Sequence, residues 1–380
     1  MKFSLTNSRT LLIAAASLAL IGTAAAQDPI RIGLQAPLTG PWAVEGEMAQ
    51  NSVQVVVDKI NADGGVLGRQ IEIVLGDDQG EPRQSALVAQ RFVTQGVDAA
   101  IASYGSSVTE PAQLIYEDAG MLNIAYGATA VSLTSHGYEY FFRPTSRDDS
   151  EGAFFAEFAT QTLGADRIAI VHDNTTFARG LADAAQESLG AYEGAEVVFF
   201  DAVTPGDRDF SAIVSRLRQQ DPDVVYFTAY YPEAGLFIRQ LRDAGVDIDF
   251  VGGNAAVNAE FIEIAGLDVA VGAMVLQEPL VADLEYTQAV DFHDEYVARH
   301  GAAPSTPWPV YAADSLNVIV AAMEATGSTD SADLAAWLHS GVTVDGITGE
   351  ISFTEAGDRA SAVIKVYVVD DEGQLEDTGY

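Results

Sequence analysis

Apolar runs of strand length alternate with segments of helical period along this chain, and then do so a second time, which leaves few architectures open. A strand over 30–34 is followed by an amphipathic helix over 46–61, a strand over 70–75 and a helix over 82–95. Strands over 97–102 and 121–127 come next, with a helix through 110–118 between them. After Tyr140-Phe141-Phe142-Arg143-Pro144 the pattern restarts, with helices over 151–163, 181–189, 210–219 and 233–244 and strands over 167–172, 197–200, 224–228 and 250–252. Such alternation predicts parallel sheets covered on both faces, so the fold class is α/β: two doubly wound parallel-sheet lobes with a ligand cleft between them. Beyond these, 272–276 reads as a strand, and 286–299 and 311–325 read as long helices. A strand pair over 349–353 and 363–369 is predicted around the turn Thr354-Glu355-Ala356-Gly357-Asp358. No low-complexity linker separates the halves, and about 350 residues are enough for two ordinary cores.

The first 26 residues carry Lys2 and Arg9, an apolar stretch over 11–21 and Ala24-Ala25-Ala26, which reads as a secretory signal peptide cleaved after Ala26. The chain has no cysteine, so a disulfide framework and a lipidated N-terminal cysteine are both excluded. A periplasmic protein free of a lipid tether is expected. Its formal charge is −36, and −38 once two positive charges leave with the leader. Acids are spread along the chain rather than gathered in a tail, a pattern that serves solubility and makes nucleic acid an unsuitable partner.

In open α/β sheets, ligands sit beyond the carboxyl ends of the strands. In the first half those ends carry Trp42 and Glu45, then Asp77-Asp78-Gln79, Tyr104-Gly105-Ser106-Ser107 and Gly127-Ala128-Thr129. In the second half they carry Asp173, Phe177, Asp201, Tyr230-Tyr231 and Asn254. Ser106 and Ser107 suit the N-cap of the helix that follows, whose free N–H groups and dipole favour an anion. The residues at 127–129 repeat the arrangement, and two such ends side by side make a cradle. With aromatic walls from Trp42, Tyr104, Phe177 and Tyr230, the cleft suits a small ligand with an anionic head and an apolar body.

Catalytic and metal readings find little support. Asp77, Asp78 and Asp173 read as strand-end caps with no histidine joining them, and the five histidines lack ligand spacing. Tyr104-Gly105-Ser106-Ser107-Val108 lacks the final glycine of a nucleophile elbow. Neither an enzyme nor a cofactor is expected.

Asp28-Pro29-Ile30-Arg31-Ile32-Gly33, Pro37-Leu38-Thr39-Gly40-Pro41, Ile60-Asn61-Ala62-Asp63-Gly64-Gly65-Val66-Leu67-Gly68-Arg69 and Asp77-Asp78-Gln79 resemble the opening of the periplasmic leucine/isoleucine/valine-binding protein family. Ser106 to Ala112, Ala128-Thr129-Ala130, Arg167 to Asp173, Asp209-Phe210-Ser211 and Tyr231-Pro232-Glu233 extend the resemblance along the chain. It implies a type I periplasmic binding fold of two lobes joined by three crossings, closing on an amino acid and docking on ABC transporter permease subunits, with a monomer expected. The lobes would be 28–147 plus 280–345, and 148–279 plus 346–380. By the same resemblance Ser106, Thr129 and the backbone around Tyr104, Gly105, Gly127 and Ala128 would hold an α-carboxylate. Phe177 and Tyr230 would close over the ligand, Phe177 standing where branched-chain binders commonly have tyrosine.

Asn254 departs from the resemblance: it stands where such amino-acid binders place the acid that pairs with the ligand's ammonium. Two readings of Glu45 stay open, a substitute for that acid from the opposite wall and an exposed acid favoured by the helix dipole. A branched-chain aliphatic amino acid is the leading ligand; a non-amino-acid carboxylate or a short amide, for transport or sensing, is the alternative.

Overall fold

The computed structural model describes residues 28–380, together with Met1. The expected leader, Met1 aside, lies outside the described residues. The first half contains β1 (Ile30–Ala36), α1 (Ala43–Ala62), β2 (Ile71–Asp77), α2 (Pro82–Gln95), β3 (Ala99–Ala102), α3 (Ser106–Asp118), β4 (Asn123–Ile124) and β5 (Phe141–Phe142). Its five strands form one parallel sheet in the order β2-β1-β3-β4-β5. Burial of both faces explains why β1 and β3 read as near-continuous apolar runs. Val88, Ala89 and Phe92 of α2 meet Ala112 and Tyr116 of α3 over one face.

The second half contains α4 (Asp148–Glu157), continued by a π turn at Phe158–Thr162, then β6 (Arg167–His172), α5 (Thr176–Leu189), β7 (Glu196–Ala202), α6 (Ser211–Gln220) and β8 (Val224–Phe227). It goes on through α7 (Tyr231–Asp243), β9 (Asp249–Gly252), α8 (Ala259–Ala265), α9 (Leu267–Ala270) and β10 (Met274–Gln277). The chain then returns to the first sheet with α10 (Thr287–His300), α11 (Trp308–Thr326) and α12 (Ser331–His339), α10 and α11 lying along α1. A hairpin of β11 (Val344–Gly346) and β12 (Gly349–Ile351) follows, and β13 (Lys365–Val369) and β14 (Leu375–Asp377) end in the second sheet. That sheet runs β14-β13-β10-β9-β8-β6-β7, with β13 and β14 antiparallel.

The chain therefore passes between the sheets three times: after β5, after β10 and after β12. The passages are tied together. Arg143 in the first makes a 2.6 Å ion pair with Asp358 in the third, and Ser146 in the first donates to Glu278 in the second, 2.9 Å from its N–H and 2.6 Å from its hydroxyl.

Three expectations are corrected. Residues 349–353 do not pair with 363–369: β12 pairs with β11, and β13 pairs with β10 and β14. The hairpin is held to the first lobe by the buried Asp314 of α11, whose carboxylate accepts the Ile347 and Thr348 amides and the Thr348 hydroxyl, so the expected boundary at 345/346 falls inside it. The turn at 354–358 does form, with the Gly357 amide donating to Thr354 at 3.0 Å, but it serves the third crossing. Second, α3 is not capped by Ser106 or Ser107; Gly105 is its N-cap and no side chain caps it. Third, α5 begins at Thr176, well before 181, because Thr175 caps it by accepting the Ala178 amide. Phe177 thus lies on the helix.

Candidate ligand-binding cleft

The anion cradle assembles from the ends of β3 and β4. With Gly105 as N-cap, α3 presents its first amides uncapped by any side chain, together with the positive end of its dipole. Ser106 is buried and its hydroxyl oxygen accepts the Ala130 amide at 3.1 Å, which leaves its proton free to donate. Beside it the buried Thr129 hydroxyl has no hydrogen-bond partner of ordinary geometry. Gly127 is required here: a Cβ at that position would lie 2.8 Å from the Tyr104 carbonyl oxygen and ring, so any side chain would push the two strand ends apart. Arg143 fixes the same turn from beneath, donating to the carbonyls of Ala128 at 3.1 Å and Ala130 at 2.8 Å. Below Tyr104, Ser103 donates to Asp78 at 2.5 Å; burial raises that carboxyl to about 6.

Aromatic rings from both lobes meet over the cradle. Trp42, the N-cap residue of α1, lies 4.1 Å from Tyr230, the N-cap residue of α7, at 33°. Tyr104 meets Trp42 edge-on at 5.6 Å, and Phe177 lies 5.3 Å from Tyr230. Trp308, which the sequence reading missed, adds a ring 6.3 Å from Tyr104. The lobes also touch through the Tyr231 hydroxyl, which donates to the Pro41 carbonyl at 2.9 Å. This is a closed cleft whose walls are apolar rings and whose floor is polar. Because Tyr230 contacts Trp42, Tyr104 and Phe177 together, Tyr230→Ala is expected to weaken ligand binding about ten- to a hundredfold. It should also reduce the compaction seen by small-angle scattering on ligand addition; undiminished compaction would argue against a closing role for this ring.

Glu45 is not the exposed acid of the second reading. It lies in the first turn of α1, fully buried, and both oxygens are taken: Oε1 accepts the Asn258 side-chain Nδ2–H at 3.1 Å and Oε2 the Thr306 hydroxyl at 2.8 Å. Burial raises its carboxyl to about 7 against those two hydrogen bonds. Asn258 belongs to the second lobe, where it caps α8, so Glu45 bridges the lobes.

The acids that crowd the cleft are others, not foreseen in the sequence. Asp148 and Glu151 in the first turn of α4, and Glu278 just after β10, are all buried. Glu151 Oε1 accepts the Tyr226 hydroxyl at 2.8 Å and the Asn254 amide at 3.1 Å. Both Asp148 oxygens and Glu278 Oε2 lack partners, as does the Asn254 side-chain nitrogen. Burial raises the Asp148 carboxyl to about 7, opposed by the neighbouring Thr129 hydroxyl and Arg143, and it pushes Glu151 and Glu278 above the usual carboxylate range, helped by the other acids in the case of Glu151. A surface cavity of about 980 Å³ between α1, α10 and α11 shares no residue with the cleft.

Two α/β lobes on three crossings, closed over a polar floor and aromatic walls, define a hinged receptor for a small solute. A family model of the periplasmic binding protein matches residues 29–374. The chain is 36% identical over 343 residues to the Leu/Ile/Val-binding protein BraC3 of Rhizobium johnstonii, covering 90% of this chain and 92% of that one. It is 34% identical to the Leu/Ile/Val-binding protein of Escherichia coli over 93% of this chain and 94% of that one. Among solved structures it is similar to the branched-chain amino acid transporter substrate binding protein LivJ of Streptococcus pneumoniae in complex with isoleucine (TM-score 0.84, 29% identity, 92% of this chain and 98% of that one). A leucine binding protein LivK of Thermotoga maritima gives a TM-score of 0.85 at 26% identity, covering 92% of this chain and 97% of that one. The chain belongs to the branched-chain amino acid family of periplasmic binding proteins, solute receptors of ABC transporters and not enzymes. Among the described residues no helix is long and apolar enough to cross a membrane.

Proposed function

We propose that this chain binds one small α-amino acid between its lobes, a branched-chain aliphatic one by preference, and delivers it to the permease subunits of an ABC uptake transporter. One observation carries the reading: an anion cradle of donors, the Ser106 and Thr129 hydroxyls and the start of α3, adjoins three buried carboxylates, Asp148, Glu151 and Glu278, that make no ion pair among the described residues. The Asp148 amide itself donates to the Thr129 carbonyl at 3.1 Å, so the two halves of the floor touch. Donors beside uncompensated acids suit a zwitterion, and the rings above suit an aliphatic side chain. Trp42, Tyr104, Phe177 and Tyr230 are assigned to the side chain, and Gly105, Ser106, Gly127, Ala128 and Thr129 to the carboxylate. The chain acts as an exported monomer, released after Ala26 and without a lipid anchor. The neutral Asn254 is the observation behind a second reading, a carboxylate or short amide without an ammonium.

The test is thermal stabilisation of protein freed of bound ligand by unfolding and refolding. L-leucine, L-isoleucine or L-valine at a hundred times Kd adds about 2.7 kcal/mol, a rise of several degrees in Tm. Stabilisation only by compounds lacking the amino group would establish the second reading. The double change Ser106→Ala with Thr129→Ala removes two hydrogen bonds to a charged group. It should weaken the binding of any carboxylate ligand about a hundredfold or more. Unchanged affinity would remove the cradle from the site.

A further inference from the structure

We infer that Glu151, reaching in from the start of α4, supplies the counter-charge for the ligand's ammonium that position 254 does not. The inference deepens the amino-acid reading above and rests on it.

Asn254 sits in the turn after β9, buried, and its side-chain nitrogen has no partner. Its backbone amide donates to Glu151 Oε1, so the turn that carries this neutral side chain is bonded to a carboxylate from another element of the same lobe. Glu151 is held there firmly. The Tyr226 hydroxyl donates to the same oxygen, and Gly253 would bring a Cβ to within 3.3 Å of it. Both bonds fall on Oε1, which leaves Oε2 for a further donor. Helix α4 comes this close because Gly152 lies against α5, where a Cβ would meet the Ala185 amide nitrogen at 2.6 Å.

The basic side chains nearby are committed elsewhere. Arg143 pairs with Asp358, Arg147 with Asp149 and Asp358, and Arg359, whose charge acts on Glu278, donates to the carbonyls of Pro144, Thr348 and Glu350. Among the described residues, no Lys, Arg or His makes an ion pair with Asp148, Glu151 or Glu278. The Asp148 carboxylate lies against the Thr129 hydroxyl within the field of Arg143, and Glu278 accepts from the Ser146 amide and hydroxyl within the field of Arg359. That leaves Glu151, the acid bonded to the Asn254 turn and close enough to Asp148, itself bonded to Thr129, to feel its charge. Buried carboxylates need a cation, and here the ligand brings it.

The test compares L-leucine with 4-methylpentanoate, which keeps the carboxylate and side chain but has no amine, by calorimetry on the mature chain. Glu151→Gln keeps an oxygen to accept from Tyr226 and Asn254, so the fold should survive. Leucine affinity is expected to fall about a hundredfold while that for 4-methylpentanoate holds or rises. Adding Asn254→Glu to Glu151→Gln puts one acid back at the same spot from the other element and should restore most of the leucine affinity, a rescue that a purely structural role for Glu151 would not give. If wild type prefers leucine and Glu151→Gln keeps that preference, or loses both ligands alike, the inference is wrong and the amino-acid reading stands. If wild type takes 4-methylpentanoate as well as leucine, or neither, the amino-acid reading fails and the inference with it.

Discussion

Arg143→Met is expected to lower the stability of the folded chain by about 3–5 kcal/mol, the usual result of removing one partner of a buried ion pair. The guanidinium is fully buried and makes four bonds: to Asp358, to the carbonyls of Ala128 and Ala130, and to the Thr134 hydroxyl at 3.1 Å. Methionine fills the volume and satisfies none of them. Asp358 keeps Arg147 at 2.9 Å, but its other oxygen and the Ala128 carbonyl lose their donor, and the Ala130 carbonyl is left with only the Leu133 amide at 3.3 Å. Those carbonyls belong to the turn that carries Thr129, so ligand affinity should fall as well. Chemical denaturation of the two proteins measures the first effect. Changing Asp358→Leu together with Arg143→Met removes both charges and should recover part of the loss. A single variant within about 1 kcal/mol of wild type would mean that this pair does not hold the crossings together.

The same arginine shows why half of the site could be read from the sequence and half could not. Tyr104, Ser106, Gly127 and Thr129 stand at the ends of apolar strands, and a strand end is a local signal: a run of small and hydroxyl residues after a buried stretch. Their grouping then follows from the sheet order, in which β3 and β4 are neighbours. Asp148-Asp149-Ser150-Glu151 gives the opposite impression. Acids in the first turn of a helix usually face water and favour the dipole, and Asp149 does just that, half-exposed in its pair with Arg147. Asp148 and Glu151 are buried by α5 and by the β9 turn, which reach them across long stretches of chain. The one local hint is Gly152, whose missing side chain lets α5 approach. The strand pairing at 349–353 failed for the same kind of reason. Two apolar runs flanking a good turn do not reveal that one of them is needed to complete a sheet built mostly a hundred residues earlier.

Glu45→Gln should make the closed protein more stable at pH 8 and change little at pH 4.5. Folding and closure bury Glu45 between α1, Asn258 and Thr306, and its carboxyl is raised from 4.5 to about 7, first by burial. Between those values the native protein holds a proton that the unfolded chain has released. Stability therefore falls as pH rises through that window and levels off above it, by about 3 kcal/mol for this one group. Asp148, raised from 3.8 to about 7, acts with the same sign. A glutamine keeps an acceptor for Asn258 and offers Thr306 a donor, so the contacts survive while the ionisation is gone. The unfolding midpoint, measured from pH 5 to 8 with saturating ligand to hold the lobes together, should fall with pH in wild type and less steeply in the variant. The general repulsion of an acidic surface also grows with pH, but it is nearly common to both proteins. Parallel curves would mean that Glu45 is solvated in solution and the Glu45–Asn258 bridge does not persist. A flatter curve for the variant would mean that the bridge between the lobes is under proton control, with closure favoured on the acid side of neutrality.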